Sequence, residues 1–384
     1  MRRLKILEYA LSSLLRRKYK NLSLVIVYAL TISILASILF LTHALKQEAE
    51  AVFSDAPNLI VQKLFAGRHD LISTDDIHLI RKIPGVGDVH PRYWGYYFDA
   101  LSQSNYTFMG IREGLPGLKL VEGQMPAEEG ECTIGRGVAR AQFTGLGDQL
   151  VLIDSRNKSV KFRIVGIFDA ASNLLSNDLV LMTRKGIQKF FDFPSNRATD
   201  IVVEVYNPEE ISTVAAKIRK MLPGTRPIAK DEIFRTYDSV FNWRSGMMLT
   251  LFSAALFAFS ILAWDKATGI SGAEKNEIGI LKAVGWDTAD ILELKFWEGI
   301  VISFTALLGG LTAAFVHVFF FNAPLLTPVL KGWSVLFPTF RLTPYIDLYQ
   351  VFVIALLTVA PYIACTVIPS WKAAVTDPEM VMRS

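Results

Sequence analysis

EKNEIGILKAVGWDTADILELKFWE, residues 274–298, is a charged, amphipathic stretch that lies between two long apolar runs of the chain. Its apolar residues recur at spacings of three and four, which predicts a short helix with a narrow apolar stripe beside its charges. Gly285 is expected to end this helix, because glycine accepts the left-handed conformation that follows a last helical turn. Asp287 or Thr288 can then cap a second helix, which leads directly into the next apolar run.

The stretch has the pattern of a short helix, a tight turn and a helix that enters the membrane. Such a geometry is suited to passing force from a docking surface into a helical bundle. An ordinary loop helix lying on the membrane surface has the same spacing, so the spacing alone leaves both interpretations open. Because the stretch contains no catalytic triad, metal-ligand spacing or phosphate loop, we interpret it as a mechanical contact.

The same stretch resembles the E-x-x-EIGILKA-h-G segment of the MacB/LolC/FtsX-type ABC transporter permeases, where h is an apolar residue. In that family the segment contains the coupling helix, which contacts a separate ATPase subunit. A second resemblance lies near the C-terminus, where Pro369, Asp377 and Pro378 match the P-x-x-x-A … DP-x-x-x-h-R ending of these permeases. The resemblance implies that the ATPase-coupling residues of this chain are Glu274, Glu277, Ile278, Gly279, Leu281, Lys282 and Gly285.

The composition is typical of a membrane protein with a large extramembrane domain. Of the 384 residues, 51% are hydrophobic and 20% are charged, so the chain is not uniformly buried. The net charge of +4 is small, and the basic residues form no single patch beyond the first twenty residues, so no nucleic-acid partner is expected. Cys132 and Cys365 lie far apart in the sequence, and no disulfide is predicted between them.

Four apolar runs are each long enough to cross a bilayer and predict four membrane spans. Residues 2–20 carry seven Lys or Arg and one Glu, which places the N-terminus in the cytoplasm by the positive-inside rule. Four spans then return the C-terminus to the same side, and the resemblance implies the bacterial inner (cytoplasmic) membrane. The predicted organisation is an amphipathic interfacial helix at 1–20, spans at 21–45, 244–266, 292–321 and 347–371, an extracytoplasmic domain at 46–243, a cytoplasmic loop with the coupling helix at 267–291, an outer loop at 322–346 and a cytoplasmic tail at 372–384.

The middle segment is soluble in character and predicts an α+β domain. Strand and helix patterns at its two ends, including a strand over 86–98, are separated by an insertion over roughly residues 115–199. This arrangement resembles the MacB-type periplasmic domain, in which a porter-like lobe is split by an inserted second lobe. Within the insertion, Gly147-Asp148 and Val165-Gly166-Ile167 match the pattern of that domain, and we interpret them as turn and core residues.

The chain contains no G-x-x-x-x-G-K-[ST] motif, so it has no P-loop to hold ATP. ATP and Mg²⁺ are therefore expected on a partner ATPase, with no cofactor and no catalytic residue in this chain. This separates the chain from MacB, whose ATPase is fused at the N-terminus, and makes it similar to the stand-alone permeases. The spacing of His69, His78 and His90 matches no standard zinc pattern, so no metal site is predicted.

Small residues in the third predicted span allow neighbouring helices to approach closely. The packing candidates are Gly299, Gly309 and Gly310, which serve either a dimer with a second permease copy or paralogue or the packing of a single bundle. His317 is the one ionisable group well within a span, and we interpret it as hydrogen-bonded packing.

The sequence therefore predicts the membrane subunit of an ABC system, an α-helical membrane protein with four transmembrane helices and an α+β extracytoplasmic domain. ATP hydrolysis by a separate ATPase would move that domain and export or extract an amphiphilic, lipidic or peptide substrate. The alternative is a mechanotransmission subunit that regulates a cell-wall hydrolase or a sensor kinase and transports nothing. The implied partners are the ATPase, a second permease copy or paralogue and the lipid bilayer, and a periplasmic adaptor is left open.

Overall fold

The computed structural model divides into two compact units. The described residues are 2–54, 56–111, 118–154, 156–170, 177–236, 272–326 and 342–375, with scattered residues between 238 and 257. One unit, which we name the membrane unit, contains residues 1–43, 243–330 and 344–384. The other, which we name the α+β unit, contains residues 44–242 and 331–343.

The described elements follow one another along the chain in a helix–sheet–helix order. The first part contains α1 Arg2–Arg16, α2 Lys18–Ser54, β1 Leu59–Phe65, β2 Arg68–Asp70, β3 Ile72–Ser73, α3 Asp76–Ile80, β4 Val86–Arg92, β5 Trp94–Asp99, β6 Ser104–Gly110 and β7 Leu118–Gly123. The middle part contains β8 Glu131–Gly135, α4 Arg136–Gln142, β9 Gln149–Ile153, β10 Ser159–Ala170, β11 Leu179–Met182, α5 Arg184–Phe190, β12 Arg197–Ala198 and β13 Asp200–Val205. The last part contains α6 Ile211–Met221, β14 Thr225–Ala229, α7 Gly272–Ala283, α8 Thr288–Phe315, a π-helical turn at Val316–Phe320 and α9 Leu348–Val375.

Three of the described helices are long and apolar enough to cross a membrane. They cover Lys18–Ala51, Thr288–Phe320 and Leu348–Trp371. These correspond to the first, third and fourth predicted spans, which are confirmed as long apolar helices. The second predicted span, residues 244–266, lies largely outside the described residues.

Aromatic and small residues join the spanning helices of the membrane unit. Tyr28 of α2 stacks on Tyr362 of α9, with their ring centroids 5.2 Å apart. The Tyr28 hydroxyl also donates a hydrogen bond to the carbonyl oxygen of Thr358 at 2.5 Å. This bond satisfies a buried hydroxyl that would otherwise be costly at membrane depth.

Two adjacent glycines of α8 provide a matched test of this packing. A Cβ at Gly310 would come within 2.8 Å of the Ala29 carbonyl oxygen and of Ile32 Cβ, whereas a Cβ at Gly309 would meet only Ala29 Cβ, at 3.8 Å. Gly310→Ala is therefore expected to destabilise the detergent-solubilised chain by about 1–3 kcal/mol through overpacking. Gly309→Ala is expected to be neutral or slightly stabilising, because alanine favours helix. Thermal unfolding of both variants measures the difference, and equal melting temperatures would contradict the assigned packing.

The first lobe of the α+β unit is an antiparallel sheet in the order β14-β1-β13-β4, with β2 paired to β1. The helix α3 follows β1 along the chain, and α6 follows β13, so a β-α-β pattern occurs twice. Both helices contribute to the same core as the sheet, through Ile80 of α3 and Ile218 of α6. The strands at the two ends of the predicted domain therefore form one lobe, as the sequence pattern indicates.

A buried carboxylate joins β4 to β13 in this lobe. Asp200 is completely buried and accepts hydrogen bonds from Arg92 Nε at 2.8 Å and from Arg92 Nη2 at 2.7 Å. The indole Nε1 of Trp94 donates a third bond to Asp200 at 2.8 Å. A two-pronged guanidinium contact of this kind is among the stronger side-chain interactions in proteins.

The second lobe is a seven-stranded sheet in the order β5-β6-β11-β8-β10-β7, with β9 paired to β10. The insertion therefore begins with β5 and not near residue 115, which corrects the boundary indicated by the sequence pattern. The stretch 86–98, predicted as one strand, divides at Tyr93 into β4 and β5, which belong to different sheets. Thr199 stabilises the chain where the two strands divide. Its hydroxyl accepts a hydrogen bond from Trp94 N at 3.0 Å and donates one to the Trp94 carbonyl at 2.7 Å.

Candidate functional site

The helix α7 and the turn after it form the candidate site. The backbone of Gly285 is left-handed, with φ +99°, and Trp286 N donates to the Leu281 carbonyl at 3.0 Å. This confirms the prediction that Gly285 ends the helix. The second helix, α8, begins at Thr288, and Asp287 N donates to the Asp290 carboxylate at 3.1 Å. The two helices are thus joined by a short turn whose hydrogen bonds are largely satisfied within it.

The apolar stripe of α7 faces its own chain. Ile278 and Leu281 are both buried. Leu281 packs in one cluster with Ile6 and Ala10 of α1 and with Leu294 of α8. Ile278 is paired with a buried isoleucine of α8, Ile291. These contacts hold α7 between the N-terminal helix and the start of the third span.

Glu277 is bound by three side chains of the N-terminal segment. Its Oε1 accepts a bond from Tyr9 Oη at 3.2 Å and from Arg16 Nη2 at 3.0 Å, and its Oε2 accepts one from Arg17 Nη2 at 2.7 Å. The hydrogen bond with Tyr9, followed by the charges of Tyr9 and Glu277, raises the pKa of the Arg16 guanidinium above its ordinary value. We name this group of four residues the Glu277 clamp.

Among residues 277–285, whose side chains the structure describes, the exposed ones are apolar. Ile280 is 60% exposed and Val284 is 76% exposed. Ala283 and Gly285 beside them are also exposed. We name these four residues the outer face of α7.

The predicted coupling residues therefore divide between two environments. Glu277, Ile278 and Leu281 contact other parts of the chain, and Gly279 is buried as well. Lys282 is half-buried beside the outer face, and Gly285 is exposed next to it. Glu274 lies in the first turn of α7.

Sequence reasoning missed both the Glu277 clamp and the outer face. The only signal for the clamp is the opposite charge of Glu277 and the two arginines. The spacing of Ile278 and Leu281 indicates an apolar stripe, but does not say whether a partner or the chain itself covers it. Ile280 and Val284 stand outside that stripe, and their exposure follows only once the stripe is known to be buried.

The three predicted packing glycines of α8 also have different surroundings. A Cβ at Gly299 would meet Thr366 Oγ1 of α9 at 2.8 Å, and Gly310 lies against α2. Both glycines therefore serve packing within one chain. Gly309 is exposed and lines an open groove of about 740 Å³ together with Leu308, Thr312 and other residues of the same helix.

His317 lies at the end of this groove, in the π-helical turn. Its Nδ1 is 3.0 Å from Ser37 Oγ of α2, which fits the prediction of hydrogen-bonded packing. Its Nε2 is buried and has no hydrogen-bond partner among the described residues.

The described part of the chain contains no group of three His, Cys, Asp or Glu residues that could hold a metal ion. Cys132 and Cys365 are both free thiols. Burial raises the pKa of the Cys132 thiol to about 12, so it stays protonated and unreactive at neutral pH.

Comparison with known proteins gives one family match. Residues 23–221, which are 199 of the 384 residues, match the family model of the MacB-like periplasmic core domain. The chain is also similar to an uncharacterized ABC transporter permease of Methanocaldococcus jannaschii. The two are 23% identical over 343 residues, which cover 80% of this chain and 81% of that protein.

Solved structures also match the chain, at low identity. The periplasmic region of MacB from Actinobacillus actinomycetemcomitans is 13% identical with a TM-score of 0.35, and the match covers 50% of this chain and 98% of that structure. The extracellular domain of the noncanonic ABC-type transporter YknZ from Gram-positive bacteria is 12% identical with a TM-score of 0.32. That match covers 44% of this chain and 100% of the structure.

Proposed function

Because this chain belongs to the family that carries the MacB-like periplasmic core domain, we propose that it is the membrane subunit of an ABC transporter and works with a separate ATPase. The relative from Methanocaldococcus jannaschii, which matches four fifths of the chain, bears the name of an ABC transporter permease. Such permeases are typically non-catalytic. ATP and Mg²⁺ are bound by the ATPase, since this chain has no P-loop motif.

The observation that carries the proposal is the outer face of α7. Its two large apolar side chains, Ile280 and Val284, are exposed, whereas Leu281 of the same segment is packed against α1 and α8. Exposed apolar surface next to a packed helix is typical of a contact with another protein. We assign the outer face to the ATPase, with Lys282 and Gly285 at its border.

The buried side of α7 supplies a route for the movement. Leu281 of α7 and Leu294 of α8 share one apolar cluster, and the turn at Gly285 leaves little slack between the helices. A displacement of α7 by the ATPase is therefore passed to α8 as a movement of one packed body. Glu277, Ile278 and Leu281 act in this scheme by holding α7 in place, and Gly299 and Gly310 act by holding the bundle together.

Movement of the spans is proposed to reach the α+β domain on the other side of the membrane and to export or extract an amphiphilic, lipidic or peptide substrate. A second permease copy or a paralogue completes the transporter. If the domain binds a cell-wall hydrolase or a sensor kinase and no amphiphile, the chain is a mechanotransmission subunit instead.

The proposal requires α7 and the α+β domain to lie on opposite sides of the membrane. Leu101 is 93% exposed in the α+β unit, and Ile280 is exposed on α7, so each position can carry a single reporter cysteine. In a Cys365→Ser background, a membrane-impermeant maleimide is expected to label Leu101→Cys in intact cells. It is expected to label Ile280→Cys only after the cells are permeabilised. Labelling of both positions from the same side would refute the proposed function.

A further inference from the structure

The N-terminal helix α1 has two working faces on opposite sides. One face carries the contacts with α7, through the apolar pair Ile6 and Ala10 and through the Glu277 clamp. On the other side, Leu4 is 67% exposed and Leu15 is 71% exposed. The positions of these two leucines differ by eleven residues, which is close to three full helical turns, so they lie on one line along the helix.

The position and charge of α1 indicate that its exposed leucine face lies on the lipid surface. Helix α1 ends at Arg16, and the membrane-spanning helix α2 begins two residues later at Lys18. The short connection keeps α1 beside the point where α2 enters the bilayer. A leucine face flanked by basic residues is the pattern of an interfacial helix on anionic lipid, and residues 2–20 carry seven Lys or Arg against one Glu. Lys and Arg side chains near an anionic surface are attracted to it, so negative headgroups are preferred to neutral ones.

The two faces depend on each other because α1 is short. A helix of 15 residues is marginal on its own in water, so α1 needs partners on its surface to stay helical. Tyr9 and Arg16 stand seven residues apart and both reach Glu277 only when the segment between them is helical. Any ligand that stabilises the helical form of α1 therefore favours the clamp. The coupling is reciprocal, since the clamp favours lipid binding by the same factor.

We infer that α1 is a lipid-dependent latch on α7. Anionic headgroups hold its leucine face on the membrane surface, and its opposite face fixes α7 through Tyr9, Arg16 and Arg17 on Glu277. The charge of the lipid beside α2 thus sets how firmly α7 is held. Glu277 is a positioning residue in this account. The consequence for ATP-driven work rests on the proposed function, whereas the latch itself does not.

Hydrogen exchange at the backbone amides of α7 tests the latch in the full chain without an ATPase. The chain is placed in nanodiscs of phosphatidylcholine alone or of phosphatidylcholine with phosphatidylglycerol, and the exchange rates of residues 278–284 are compared. Slower exchange in the anionic discs is expected. Glu277→Gln keeps the shape of the side chain and removes its charge. It is expected to speed exchange on the order of fivefold and to abolish the difference between the two lipids.

Two further variants separate the faces of α1. Glu8 is exposed and lies four residues after Leu4 and seven before Leu15, so it belongs to the leucine face. Glu8→Gln removes the one acidic charge of that face without touching Glu277, and is expected to enlarge the response of α7 to anionic lipid. Leu4→Ser combined with Leu15→Ser removes lipid contacts without touching Glu277, and is expected to remove the response to anionic lipid. The inference is overturned if exchange is the same in both lipids, or if the lipid response persists in Glu277→Gln. If the unmodified chain shows the lipid response but binds no ATPase, the latch stands and the result counts against the proposed function alone.

Discussion

Ile280→Asp combined with Val284→Asp is expected to release the ATPase from the membrane subunit while the chain still folds and inserts. Both side chains are exposed, so the two substitutions leave the packing of α7 on α1 and α8 intact. In a complex, each carboxylate would be desolvated against an apolar partner surface, and this desolvation weakens binding. We expect the affinity for the ATPase to fall roughly a hundredfold, which corresponds to about 3 kcal/mol.

Co-purification of the ATPase with the tagged chain, followed by titration in detergent, measures this change. The control is Leu325→Asp, which makes the same kind of change once, at an exposed leucine beyond the other end of the third span. That variant should bind the ATPase like the unmodified chain. Retention of the ATPase by the double variant would show that the outer face is not the contact.

The choice of residues for this test follows from burial. Glu277 and Leu281 match the family segment and are natural targets on the sequence alone. Leu281 is buried, however, and Glu277 is bound by three other side chains, so changing them perturbs the position of α7 as well as any docking. Substitutions in the outer face change only the surface that α7 presents to a partner.

Arg92→Ala is expected to destabilise the α+β unit by about 3–5 kcal/mol. The substitution removes two of the hydrogen bonds that Asp200 accepts and leaves its carboxylate completely buried with its charge no longer paired to Arg92. The remaining bond from Trp94 Nε1 comes from a neutral donor, and compensates only part of this loss. The net stability of a folded domain is about 5–15 kcal/mol, so a loss of this size should lower the unfolding midpoint of this unit strongly.

Urea unfolding of the detergent-solubilised chain, followed by tryptophan fluorescence, measures the loss, since Trp94 itself lies in the cluster. Arg156→Ala is the control, because Arg156 pairs with Asp192 where both side chains are more than half exposed. An exposed pair contributes about 1 kcal/mol or less. Similar shifts for the two variants would mean that the Asp200 carboxylate does not depend on Arg92.

Much of the fold follows from local patterns in the sequence. The first, third and fourth apolar runs form long helices, Gly285 ends α7, and the two ends of the middle segment form one sheet. The resemblance to the permease family is confirmed by the family match over residues 23–221. The long helices and the end of α7 follow from residues that are close together in the chain. The single sheet follows from the strand and helix patterns at the two ends of the middle segment.

Other features depend on contacts that leave no local pattern. Tyr9 and Glu277 are separated by 268 positions, and no periodicity predicts their hydrogen bond. The change of sheet at Tyr93 is equally hidden, because the alternation of a strand continues through it. Glycine spacing likewise marks close packing in α8 without saying that Gly310 faces α2 while Gly309 remains exposed. Such assignments require the tertiary structure.

The Glu277 clamp also limits how freely parts of this protein can be exchanged with those of a relative. One side of α7 is matched to the N-terminal helix, through the carboxylate of Glu277 and the buried Leu281. A graft of residues 272–285 alone into another permease would bring a carboxylate without its arginines. The smallest transplantable module is therefore discontinuous, and Tyr9, Arg16 and Arg17 belong to it as much as the helix that they hold.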